Sequence, residues 1–344
     1  MATPNFSGKQ WQAVVALHDV SVVPLGTNTT TDCMTASSNL YMYLDTVNPV
    51  NMDGMIQQSP AVRSGSRVLR EEDMVQQYGY GECTWDFDYL VKNEVLMQNL
   101  LSLIIGKGID STADPIAISD AVTKDENLQH GLTGVTTDVV AQILLLAPTT
   151  PSDMTAFDVR MHSAVLQNLT ISMDMGTDSG RMRMAGQFMS GYKPVIADSG
   201  LSGVSTATNF EKGIFDAATR TINGVACTMK SFSMTISNPA TRVGHQGTSG
   251  ETDGYVRGGE FEISGTCSVK LDEATHAFQA LYQAGTAMPI VLGDGADFSI
   301  TIPKARLTGF NNDMAAEGVF VEIPWKATVG TQAAAVNLAS IVMS

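Results

Sequence analysis

Residues 259–271 read Gly-Glu-Phe-Glu-Ile-Ser-Gly-Thr-Cys-Ser-Val-Lys-Leu, an alternation of apolar and polar side chains with period two. Successive side chains on a strand point to opposite faces. Phe261, Ile263, Cys267, Val269 and Leu271 therefore share one face, and Glu260, Glu262, Ser264, Thr266, Ser268 and Lys270 the other. Just downstream, Ala274, Ala277, Phe278, Leu281 and Tyr282 recur at helical spacing, with Asp272 and Glu273 suited to a helix start and Gly285 to its stop. Further on, Phe298, Ile300 and Ile302 alternate with polar residues, as do Val319, Val321, Ile323, Trp325, Ala327 and Val329. Pro324 has no N–H to give to a ladder, which predicts an edge strand or a bulge there. Upstream, Phe232, Met234 and Ile236 continue the pattern. One buried face and one polar face is the signature of antiparallel sheet.

The N-terminal half follows the same plan. Cys83, Trp85, Phe87 and Tyr89 alternate with Glu82, Thr84, Asp86 and Asp88, and a helical run with Val95, Leu96, Leu100, Leu103 and Ile104 follows, closed by Gly106. Leu169, Ile171, Met173 and Met175 form one alternating strand, and Met182, Met184, Gly186 and Phe188 the returning one. The closing hairpins correspond, Ala-Val-Leu-Gln-Asn-Leu at 164–169 standing where Ala-Arg-Leu-Thr-Gly-Phe stands at 305–310. This shared order predicts an internal duplication: a first unit over 1–197, a linker at 198–209 and a second unit over 210–344. The first unit carries an insertion at about 109–158, with a helix or buried strand over 135–146; a connection that long is usually functional or mobile.

Composition narrows the function. The chain has 344 residues, with 35 acidic against 20 basic side chains, a net charge of −15. Gripping nucleic acid through its phosphates needs clustered Lys and Arg, so that class is excluded. Hydrophobic residues at 44% can fill real cores, while charged residues at 16% leave neutral surface suited to burial against a partner. The longest apolar stretches fall far short of the ~20 residues of a membrane span, and 1–10 lacks the features of a signal peptide. Cys33, Cys83, Cys227 and Cys267 form no CxxC pair and read as buried thiols in a reducing cytoplasm.

Chemistry is scarce. His18, His130, His162, His245 and His276 show no metal-ligand spacing, and no cofactor motif is present. Asp86 with Asp88, and Glu260 with Glu262, lie about 7 Å apart along a strand. Both pairs sit beside Ser and Thr on polar faces, so a solvated or interface-facing row is favoured over a glycosidase dyad. Gly79-Tyr80-Gly81 and Gly106-Lys107-Gly108 lack the rest of a phosphate loop, and Asp294-Gly295-Ala296-Asp297 reads as a hairpin turn ahead of a calcium site. No nucleophile elbow occurs, and an enzyme is not expected.

Taken together, these features resemble the tail tube proteins of long-tailed phages, over about 27–330. The resemblance rests on the acidic and aromatic strand and Leu-rich helix of 81–106, on Ser-Phe-Ser-Met-Thr-Ile-Ser-Asn at 231–238 before a polar loop, on the 259–282 block and on the hairpin of 298–330. It implies a mainly β fold of two tandem antiparallel β-sandwich units, each with a flanking short α-helix, whose sheets close into a β-barrel on oligomerisation. It implies rings that stack into a hollow conduit for double-stranded DNA, passed without specific binding. The other partners implied are tail tip, tape measure and tail terminator proteins, in the virion tail after assembly in the host cytoplasm. Glu82, Asp86, Asp88, Glu260 and Glu262 are then expected to face the lumen; the alternative places them in subunit contacts with partners such as Arg181 or Lys270. The polar loop with Arg242, His245, Glu251, Asp253 and Arg257, and a counterpart near 51–66, resembles the loop that reaches the adjacent ring. Tubes of this family are typically sixfold, so two units per chain imply trimeric, pseudo-hexameric rings. A capsid, neck or decoration protein, or a carbohydrate-binding β-sandwich or adhesin, is the alternative.

Overall fold

The computed structural model describes residues 11–20, 24–26, 39–58, 76–78, 81–105, 116–119, 139–147, 157–197, 210–244, 250–273, 275–295, 297–313, 319–329 and 337–343. Gly79, Tyr80, Gly106, the 198–209 linker, Cys33, His130 and His245 lie outside them. The first half contains strands β1 (Gln12–Asp19), β2 (Asn39–Met42), β3 (Ile56–Gln58), β4 (Gln76–Tyr78), β5 (Cys83–Leu90), β6 (Ile116–Ser119), β7 (Val139–Leu146), β8 (Val159–Asp174), β9 (Met182–Ser190) and β10 (Val195–Ile196), with helix α1 (Glu94–Ile105) after β5. The second half contains β11 (Thr219–Ile222), β12 (Val225–Ala226), β13 (Met229–Ser237), β14 (Thr241–Val243), β15 (Gly254–Val256) and β16 (Glu262–Lys270), then helix α2 (Ala277–Ala284). It closes with β17 (Met288–Gly293), β18 (Phe298–Leu307), β19 (Asn311–Asp313), β20 (Phe320–Ala327) and β21 (Asn337–Met343). The fold is mainly β and antiparallel throughout.

The pairings run in the same order in both halves. In the first, β1 pairs with β2 and β7, β7 with β8, β8 with β9 and β10, and β9 with β5. In the second, β11 pairs with β12 and β17, β17 with β18, β18 with β20 and β21, and β20 with β16. Segment 44–51 lies along β5 through bridges Leu44–Tyr89 and Asn51–Thr84, where β13 lies along β16. The hairpins β3–β4 and β14–β15 follow these two segments in turn. Edge-to-edge pairing of β8 with β13 joins the halves, giving the continuous sheet β5–β9–β8–β13–β16–β20.

Long strands pass from one sheet to another through local breaks. The first part of β8 pairs with β7 and β10 and the rest with β9 and β13, and Ser163 at the change has a left-handed φ of 49°. The first part of β18 pairs with β17 and β21 and its end with β20, and Pro303 lies at that change. Pro324, expected at an edge or a bulge, lies in β20 with neighbours on both sides, opposite Thr266 of β16. The interruption falls in the neighbour, between β18 and β19. There the Thr308 N–H donates to the Pro324 carbonyl, and a side chain at Gly309 would collide with the pyrrolidine ring.

Apolar faces of the long sheet, of β1, β2 and β7, and of β17 and β18 join one core with α1. Asn93 caps α1, its Oδ1 accepting from the Leu96 N–H at 3.2 Å. Helix α2 starts later than the helical spacing suggests: Asp272 and Thr275 first bond to each other, N–H to side chain in both directions, and Gly285 ends the helix in the left-handed region. Of the 135–146 signal, 139–146 is buried strand β7, and 135–138 lies outside the described residues. Cys83, Cys227 and Cys267 are free, buried thiols whose pKa values burial raises. Met173, Met182 and Met184 are core residues, whereas Met175 is exposed at the end of the strand.

Candidate assembly surface

The face of the long sheet opposite the core is mostly polar, though the apolar Ala185, Phe320 and Pro324 also lie on it. Its middle is a hydroxyl ladder: Thr170 and Thr235 pair across β8 and β13 with their Oγ1 atoms 2.9 Å apart, and Ser233 meets Thr266 at 2.8 Å. Charges are placed towards its ends. On β5, Asp86 and Asp88 are exposed, with Glu82 exposed just before the strand; Asp86 accepts from Gln187 at 2.8 Å. Arg183 of β9 gathers Asp88 at 3.0 Å, Asp45 at 3.2 Å and Asp178. Burial disfavours the charge of its guanidinium, but the hydrogen bonds to Asp178, Asp88 and Asp45 outweigh this and raise its pKa.

The other end is built alike. Lys326 of β20 donates to Glu262 at 2.7 Å and Glu260 at 3.4 Å. The hydrogen bond from Lys326 holds the Glu262 carboxyl below its usual range and, reciprocally, raises the lysine. The alternative expectation places Arg181 and Lys270 in contacts between subunits, which a single chain does not show. Within the chain, Arg183 and Lys326 bind these carboxylates, while Arg181 pairs with Glu211 at 3.0 Å. Period two puts Arg181 and Arg183 on one face, and only the long-range register of β5 with β9 selects between them.

The polar loop after β13 is tied down at its base. Arg257 is buried and donates to the carbonyls of Leu103 at 3.0 Å, Leu166 at 2.9 Å and Asn238. Asn238 in turn donates to the Ile104 carbonyl at 2.7 Å, so the two side chains satisfy the C-terminal end of α1. Burial pulls the Arg257 pKa down to about 10. Arg242 donates to the carbonyls of Gly81 and Gly250. Glu251 accepts from the Lys193 N–H at 3.1 Å, and Asp253 is exposed. The Tyr255 hydroxyl donates to Ser163 O at 2.7 Å, fastening β14–β15 onto the bend of β8.

The turn at 294–297 is held by its own chain. Asp294 Oδ1 accepts from the N–H groups of Asp297 and Phe298, and Lys212 reaches Asp294 at 2.7 Å. Trp85 and Trp325, each 1% exposed, offer no stacking platform for a sugar. Among the described residues, no helix is long and apolar enough to cross a membrane.

A mostly polar sheet face over a continuous core, with outer strands that take no further partner among the described residues, suits assembly with further chains. The model of the phage tail tube protein family matches residues 78–327, well over half of the chain, which therefore belongs to that family. A comparison with curated proteins finds no match. The chain is a structural subunit of a phage tail tube, located in the virion tail, and nothing favours the shell, adaptor or carbohydrate-binding alternatives.

Proposed function

We propose that this subunit carries two tandem tube units, of about 1–197 and 210–344, and that three copies close a pseudo-hexameric ring. The observation that supports this is the shared order of the main strand pairings in the two halves, which join edge to edge through β8 and β13, with β21 of the second half also pairing β6 of the first. Each unit is a β-sandwich with a flanking helix, and the long sheet closes into a barrel on oligomerisation, which removes the exposed edges of the free subunit. Fusing two units makes half of the lateral contacts intramolecular, at high effective concentration.

Rings stack into a conduit for double-stranded DNA, with the polar face carrying Glu82, Asp86, Asp88, Glu260 and Glu262 turned to the lumen. Of its basic side chains, Arg183 and Lys326 are engaged by carboxylates and Lys270 is exposed, and the carboxylates of Glu82, Asp86, Asp88, Glu260 and Glu262 keep the face acidic towards passing phosphate. The loop with Arg242, His245, Glu251, Asp253 and Arg257 reaches the adjacent ring, Arg242 and Arg257 serving as its anchors. Tail tip, tape measure and tail terminator proteins are the other partners, met after folding in the host cytoplasm. Counting chains per ring by electron cryomicroscopy tests the reading: three are expected, and six would overturn the two-unit arrangement.

A further inference from the structure

Residues of the second half can be placed on the first through the shared register. Leu166 opposes Phe188 and Trp85 opposes Phe188 in the first half, as Leu307 opposes Trp325 and Gly265 opposes Trp325 in the second. This correspondence sets Asn311, which opposes Glu322, where Thr170 opposes Ala185. It also sets Asn51, bridged to Thr84, where Thr235 opposes Ser264. Within the chain, Thr170 and Thr235 are direct partners across the β8–β13 junction.

The equivalents of those two strands form the outer edges of the sheet. Among the described residues, β19 pairs only with β20, and segment 44–51 bridges only to β5. Asn51 and Asn311 are both exposed. An unpaired edge is a template for another chain, and the junction already present in this chain shows which edge fits which.

We infer that β19 of one copy adds antiparallel to segment 44–51 of a second copy, with Asn311 directly opposite Asn51. This rests on the two-unit reading and extends it to a register. The contact is head-to-tail, as ring closure requires, and each asparagine amide both donates and accepts, so the pair takes the place of the Thr170–Thr235 hydroxyls.

Direct antiparallel partners have Cα atoms about 4.5–5.5 Å apart, within disulfide reach. Assembled tubes of Asn51→Cys/Asn311→Cys should therefore give a covalent ladder on mild oxidation, ending at three subunits on a non-reducing gel. Co-assembled single variants should give dimers, whereas either variant alone should not. Asn51→Cys/Glu322→Cys, one strand further in, should give none. Tubes in which the first pair fails to link, or the control pair links, would overturn the register while leaving the tube reading intact. Should the cysteine variants not assemble, a map of the wild-type tube decides: Asn51 more than about 10 Å from Asn311 of every neighbour rejects the pairing. A wild-type chain that forms no rings would overturn the tube reading and the pairing together.

Discussion

The hydroxyls of Thr170 and Thr235 meet at 2.9 Å across the seam that joins the two halves of the chain. Both side chains are partly buried on the polar face, where each hydroxyl has a neighbour able to donate or accept. The seam is thus held by the ladder itself and by small polar contacts, not by apolar anchors on that face.

Replacing either threonine with alanine should cost about 1 kcal/mol, the net value of such a bond. The double variant should cost less than the sum of the singles, because the second change removes a partner already lost. Denaturant unfolding of the unassembled subunit measures both terms; strict additivity would show that the hydroxyls do not interact.

Arg257 should be far less tolerant. Its methionine variant would leave the carbonyls of Leu103, Leu166 and Asn238 without the buried donor that serves them. The expected loss is about 3 kcal/mol, and Arg257→Lys should recover little, since one ammonium on a shorter reach lacks the planar fork. A shift in unfolding midpoint close to that of an exposed substitution such as Lys304→Met would refute this.

The alternation of Trp85, Phe87 and Tyr89, or of Ile263, Cys267 and Val269, was open to reading because one face is buried and the other wet. Strand β1 carried no such signal: Ala13, Val14, Val15 and Ala16 are all buried, so period two vanishes. The first part of β8 is hidden for the same reason, being covered on both faces. Strand order is a long-range property, and neither the β8–β13 seam nor the choice of Arg183 over Arg181 leaves a local mark. Arg257 reads as loop polarity in sequence, since nothing nearby announces that α1 needs a cap from the other half.

Glycines that face large rings make a sharper test of packing. Gly186 lies opposite Phe87, and Gly265 opposite Trp325, each leaving room for the ring on the core face. A Cβ on Gly265 would come within 2.0 Å of the Ser233 carbonyl oxygen and 2.6 Å of the Trp325 ring. Gly265→Ala should therefore destabilise by about 2 kcal/mol or more, while Gly258→Ala, with only Val256 at 3.9 Å, should be nearly neutral. Equal thermal shifts for the two would contradict the crowding.

Acid should loosen the bend of β8 before the rest of the sheet. His162 is 5% exposed, and its ring packs 5.5 Å from that of Tyr192, which meets Tyr255 of the hairpin β14–β15. Burial disfavours its charged form and Arg160 adds repulsion; Glu251 opposes both, and the pKa falls to about 4. The unfolded chain takes up this proton near pH ~6.5, so between there and about 4 it binds more protons than the folded one. Stability must then fall as pH falls through that window, with no further change from this group below it. The loss is about 1.4 kcal/mol by pH ~5.5 and of order 3 kcal/mol at the bottom. His162→Gln keeps a polar side chain that does not titrate, so the gap between wild type and variant should shift by these amounts between pH ~7.5 and ~4.5. Carboxylates that titrate alike in both proteins cancel from that difference. Hydrogen exchange should place the first opening at the Tyr255–Ser163 contact, one residue from His162. A stability gap that stays constant across the window would mean that His162 is not held neutral in the fold.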